Sequence, residues 1–188
     1  MKSTTLKSAF LAITLLGIIW SSNAQKNYEL NKKQTFSVLG TSTLHDWEME
    51  TSTATGTANI TITNSKLEAI NGITINLKSE SIKSGKGAMD KIAYKTLNTN
   101  KFKTIKYVLK TAEKVNETTW ELIGTFSIAG VSKEFKTQVQ TTISNGSVTI
   151  QGSNKITFDE FGMTPPTALF GTIKTGKELI LKFNINFN

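Results

Sequence analysis

The sequence predicts an all-β protein, an antiparallel β-barrel of about eight strands with one short α-helix. Three observations predict it. From Trp120, apolar or small residues fall on every second position (Trp120, Leu122, Gly124, Phe126, Ile128), the period of a strand with one dry face. Asn145-Gly146 separates two further alternating runs and marks a two-residue hairpin, because both residue types accept positive φ. Helical spacing occurs in one place, Ala88 to Asn98. Sequential antiparallel strands either stack as a sandwich or close into a barrel, and hairpin-like connections with a lone helix favour closure.

Taken in order, the chain opens with Lys2 and Lys7, an apolar run from Ala9 to Trp20, and Ser21-Ser-Asn-Ala24. A basic start, a short apolar core and a small-x-Ala ending describe a cleavable export signal, residues 1–24. The run is shorter than the ~20 residues of a spanning helix. Cleavage leaves 164 residues, 25–188, enough for one domain with its own core.

The first mature strand is expected from Tyr28 to Leu39, followed by a turn at Gly40 to Thr43 and the segment Leu44 to Met49. Alternation then runs through Ala54, Gly56, Ala58, Ile60 and Ile62, where small residues let a strand bend as barrel corners require. Leu67, Ala69, Ile73, Ile75 and Leu77 continue it, with a bulge expected at Ile70-Asn71-Gly72 because the phase slips there. Gly85 and Gly87 break the pattern. Met89, Ile92, Ala93, Thr96 and Leu97 then recur at helical spacing, with Asp90 favoured in the first turn and Asn98 as the stop. Strands resume at Ile105 to Leu109, Trp120 to Ile128, Phe135 to Ile143, Val148 to Phe158, and Leu179 to Phe187; a five-residue loop, Ala129 to Lys133, is expected inside this series.

Composition narrows the function. The chain has no cysteine, which excludes disulfides, thiolate metal sites and a thiol nucleophile. Its 22 basic residues are all lysine, leaving 20 against 14 acids after removal of the signal. Nucleic-acid and bidentate phosphate recognition leans on the planar fork of arginine, so no nucleic-acid partner is expected. His45 is the only histidine, too few for an imidazole metal site. Neighbours in a strand point to opposite faces, so His45 and Asp46 do not form a relay into one cavity, and no catalytic set converges.

Several segments carry a resemblance. Met89-Asp-Lys91 entering a helix, Leu97 to Phe102, Ile123 to Lys133 and Ile156 to Met163 resemble the YceI-like family in order and spacing, over nearly the whole chain from Tyr28. The chain departs from that pattern at Thr104, where many members carry proline, and at Ser42 to Trp47. The resemblance implies a lipocalin-like barrel, a periplasmic or secreted bacterial location, and, as in some members, a polyisoprenoid chain held in the barrel.

Candidate ligand-binding residues follow. His45, Trp47 and Met49 share one strand face; they either fill the barrel or form the polar-tipped mouth of a pocket. Phe102, Phe126, Phe161, Met163 and Phe170 are candidate pocket walls, and Met89 on the helix is a further candidate ligand contact. Eight lysines lie between Lys83 and Lys110 with Asp90 the only acid; Lys91 and Lys95 stand four apart on the helix. This segment is either a solvated face or a cationic cap that meets an anionic headgroup or a membrane surface. The expected protein is a non-enzymatic, exported binder of an isoprenoid or other long-chain lipid, without metal or cofactor. The alternative is a filled barrel acting through its surface in envelope stress or protein interaction. Oligomeric state is not legible in the sequence.

Overall fold

Alternation along the chain becomes one continuous antiparallel sheet. The structure, a computed structural model, describes residues 26–188; the expected export signal, residues 1–24, lies outside the described residues. The elements are β1 (Lys26–Glu29), β2 (Thr35–Ser42), β3 (Trp47–Thr51), β4 (Thr55–Thr63), β5 (Lys66–Lys78), α1 (Gly87–Leu97), β6 (Thr104–Lys114), β7 (Thr119–Ile128), β8 (Val131–Ser144), β9 (Ser147–Thr157), β10 (Thr167–Ala168) and β11 (Ile173–Phe187). The sheet runs β1-β4-β5-β6-β7-β8-β9-β11-β2-β3, with β10 beside β11.

The first expected strand is in fact two. Leu30 to Gln34 interrupts Tyr28 to Leu39 because this stretch changes partners. β1 pairs with β4, and Leu30 donates its amide to Gly56 of that strand (2.9 Å). Glu29 and Asn31 instead bond to Asn188 and Asn186 at the end of β11 (3.0 and 2.7 Å). The segment therefore ties the β1 margin of the curled sheet to the end of β11, two strands in from the β3 margin, and covers part of the β1 edge. A second seam lies where Glu50 of β3 exchanges both backbone bonds with Lys83 (2.8 Å each). Splitting the first strand, together with short β3 and β10, raises the count to eleven among the described residues.

Turn chemistry sets the register. Asn145 and Gly146 both hold positive φ (50° and 75°) between β8 and β9. Ala129 and Gly130 do the same (50° and 83°), so the expected five-residue loop contracts to two residues, and Val131 and Lys133 pair with Ile128 and Phe126. At the expected bulge, Gly72 pairs with Asn59 and Ile70 with Ile60, leaving Asn71 extra. The helix begins at Gly87 rather than Ala88, and Asn98 caps it in the left-handed conformation (φ 49°).

Antiparallel partners share a face, so the inward side chains line up across strands. One buried cluster includes Ile60, Trp120, Val148, Ile150 and Phe187. A second gathers Ile128, Ile156, Phe158, Phe161, Met163 and Leu179 beneath the loop that follows β9. Between them the barrel is not filled.

Candidate ligand cavity

The unfilled space is a cavity of about 430 Å³. Its walls follow from the register. Leu181 pairs with Val38 and Val38 with Met49; Phe183 pairs with Phe36, and Ile75 with Tyr107, which pairs with Phe126. All of these side chains border the cavity. A Cβ at Gly124 would overlap the Tyr107 ring, so glycine lets that ring lie flat against the neighbouring strand.

Helix α1 covers the space. Ala88, Met89, Ile92, Ala93, Thr96 and Leu97 border the cavity, one face of a 3.6-residue period. Polar bonds hold the helix to its frame. Asp90 accepts the amide (2.8 Å) and hydroxyl (2.7 Å) of Ser84, and these bonds hold its carboxyl below the usual range. Tyr94 donates to the Glu80 carbonyl (2.9 Å) and accepts from Lys83. Thr99 donates to the Glu80 carboxylate (2.7 Å).

Few polar atoms face inward. Thr137 donates to Asn154 Oδ1 (2.7 Å), and Asn154 donates to the Lys136 carbonyl (3.2 Å), so this pair is satisfied within the wall. The Tyr107 hydroxyl is buried with no hydrogen-bond partner among the described residues. Burial pushes its pKa up to about 12. Below about pH 10 the phenol is neutral in folded and unfolded chains alike. As pH rises from there towards 12 the unfolded chain loses its proton first, and stability falls by roughly 3 kcal/mol in total. Tyr107→Phe is expected to remove that alkaline loss and to add about 1 kcal/mol at neutral pH, since an unsatisfied hydroxyl goes. Urea unfolding of both proteins at pH 7 and pH 11 checks it; equal losses on going alkaline would rule out Tyr107 as the source.

The predicted site residues separate into two groups. His45, Trp47, Met49, Met89, Phe126 and Met163 all border the cavity. Trp47 and Met49 reach it from β3, and the Trp47 indole donates to the Thr41 carbonyl (3.0 Å). His45 sits at the exposed rim; its Nδ1 bonds the Asp46 backbone carbonyl (2.6 Å), not the carboxylate. The others lie elsewhere. Phe102 packs on the Gly130 turn outside the cavity wall. Phe161 is 1% exposed and stacks on Phe135 (5.9 Å between centroids), one layer behind the wall. Phe170 is fully exposed at the tip of the β10–β11 hairpin, outside the cavity wall. Lys91 and Lys95 occupy the outer face of α1, since the face of Ile92 and Thr96 is the inner one. Sequence reasoning missed Tyr107, the β5 run Ile73 to Leu77 and the β11 run Leu179 to Ile185 as walls; only strand pairing assigns them.

The arrangement offers apolar enclosure and little else. Among the described residues no three of His, Asp and Glu converge as a metal ion needs. No helix among the described residues is long and apolar enough to cross a membrane.

Comparison with known proteins agrees with this architecture. No curated protein matches the chain in sequence. Among solved structures, it is similar to BcnA of Burkholderia cenocepacia (TM-score 0.71, 13% identity, 84% of this chain and 98% of that one). It is also similar to a polyisoprenoid-binding domain from Saccharophagus degradans implicated in plant cell wall breakdown (TM-score 0.64, 11% identity, 86% and 97%). A third is the YceI protein of Campylobacter jejuni (TM-score 0.58, 16% identity, 99% and 97%). At these identities the likeness establishes the fold, and the family rests on sequence: the model of the YceI-like domain matches residues 27–187, and the chain belongs to the YceI-like family.

Proposed function

We propose that this chain is an exported, non-catalytic carrier that holds a long apolar lipid of isoprenoid type in its barrel. The observation that carries the proposal is the cavity itself: about 430 Å³ of apolar space roofed by the amphipathic helix α1. That volume falls in the range of roughly 300–1,000 Å³ typical of small-ligand sites. Affinity would come from burial of the chain at about 25 cal/mol per Å², less the cost of ordering it. The polyisoprenoid-binding neighbour supports this class of ligand. The signal-like residues 1–24 support delivery to the periplasm or medium as a domain of residues 25–188.

The test is native mass spectrometry of protein purified from its producing cells, followed by solvent extraction. A stoichiometric lipid adduct is expected, released by solvent and weakened roughly tenfold or more by Phe126→Ala, which removes a ring from the wall. A clean unliganded mass, with no uptake of offered isoprenoids, would sink the carrier reading and favour action through the outer surface.

A further inference from the structure

Half of the large exposed apolar side chains among the described residues stand at the mouth of the cavity. They are Leu44 (65% exposed), Leu169 (68%) and Phe170 (fully exposed). Two connections carry them, and these are tied side by side. Thr43 donates its amide to the Lys174 carbonyl (3.0 Å), and Lys174 returns its amide to Thr43 Oγ1 (3.1 Å). Lys174 in turn pairs with Thr167 across the β10–β11 hairpin, whose tip is Leu169 to Gly171. Leu44, Pro166, Ala168 and Ile173 from these connections border the cavity, as does Ala88 at the start of α1. The apolar tips therefore belong to the entrance.

Backbone conformation at the hairpin tip is unusual. Leu169 and Phe170 both sit at left-handed φ (47° and 55°), a region bulky residues rarely adopt. Such outliers cluster where a function needs the geometry. Exposed apolar residues alone would not say what covers them. Charge does. Lys86 borders the mouth, Lys91 and Lys95 line the outer face of α1, and Lys174 flanks the hairpin tip. All four are exposed and none forms an ion pair among the described residues. Of the acids on the same segments, Asp90 is engaged with Ser84, and Asp46 alone is exposed.

We infer that the cavity mouth docks on an anionic bilayer, with Leu44, Leu169 and Phe170 entering the interface and the four lysines meeting lipid phosphates. Separate apolar tips ringed by cations suit a fluid surface, into which each tip sinks independently. The inference deepens the carrier reading and rests on it for its purpose, since a water-insoluble chain would pass directly between bilayer and barrel. Vesicle association itself is measured without cargo.

The experiment is sedimentation of the purified exported protein with vesicles of equimolar phosphatidylglycerol and phosphatidylethanolamine, against pure phosphatidylcholine. Association with the anionic vesicles is expected, falling about tenfold in the Leu169→Ser/Phe170→Ser double variant and about tenfold in the Lys86→Glu/Lys91→Glu/Lys95→Glu triple variant. Phe170→Trp gives a second readout: the emission of the introduced indole, after subtraction of the wild-type signal, shifts to the blue on anionic vesicles if the tip is buried. Failure of the wild-type protein to sediment, equal binding to phosphatidylcholine, or an unshifted emission from the Phe170→Trp variant would overturn the inference. Vesicle binding by a protein that takes up no lipid would sink the carrier reading and leave the docking surface standing. A lipid-loaded protein indifferent to vesicles would do the reverse.

Discussion

Ala93→Trp is expected to abolish lipid uptake while leaving the fold in place. Ala93 lies in the middle of α1 on the face that borders the cavity, packed beside the larger core cluster. An indole placed there points into open space, and filling a void is tolerated where overpacking a full core is not. The helix is outside the strand ladder, so no register depends on this position. A large aromatic side chain covers roughly 150–250 Å². Withholding that contact from a ligand at about 25 cal/mol per Å² weakens binding by roughly a hundredfold or more. Glu113→Trp, exposed on β6 and not part of the cavity wall, adds the same residue where no cargo would meet it. Titration with a fluorescent isoprenoid analogue, alongside thermal unfolding, separates the outcomes. Undiminished uptake by a folded Ala93→Trp protein would mean the ligand does not occupy the space beneath α1.

The parts of the fold written plainly in the sequence are those where one local signal suffices. Trp120 to Ile128 alternates cleanly because β7 has neighbours on both sides and one face in the core. Asn145-Gly146 needs no context beyond its own φ preference. Other parts depend on partners that no window of sequence contains. β6 is legible only to Leu109, because a bulge at Lys110 shifts the phase before Ala112 and Lys114 pair with Leu122 and Trp120. Nothing local announces that Leu30 to Gln34 trades β4 for β11, or that Gln34 is buried there with its amide on the Ala54 carbonyl (2.7 Å).

The cavity shows the same division. Period two places Met49 and Trp47 on one face, and the helical period places Met89. Tyr107 is assigned inward only through its pairing with Ile75 and Phe126. Loop aromatics carry no period at all: Phe161 enters the second core and Phe170 stands in solvent, though both look alike in sequence as rim residues.

Gly56→Ala is expected to be among the most costly single-methyl additions in this chain. Gly56 lies in β4 opposite Ile75 and accepts the Leu30 amide, next to the place where the chain crosses to the end of β11. A Cβ there would overlap the Thr74 carbonyl oxygen and press on the Ile75 Cα (3.2 Å) and Cγ1 (3.3 Å). The first obstacle is backbone in a hydrogen-bonded ladder, which cannot swing aside as a side-chain tip does. Relief requires β4 to move away from β5, which strains the seam through Leu30. Overpacking of this kind costs about 3 kcal/mol, or a fall in Tm of roughly 6–12 °C for a chain of this size. Gly87→Ala supplies the contrast. Nothing lies within 4 Å of a Cβ at that position, and it is the first residue of α1, so alanine there should stabilise by up to about 1 kcal/mol. If thermal unfolding gave Gly56→Ala and Gly87→Ala the same small shift, the close approach of β4 and β5 would be wrong. The seam between β4 and the end of β11 at Leu30 would then need another explanation.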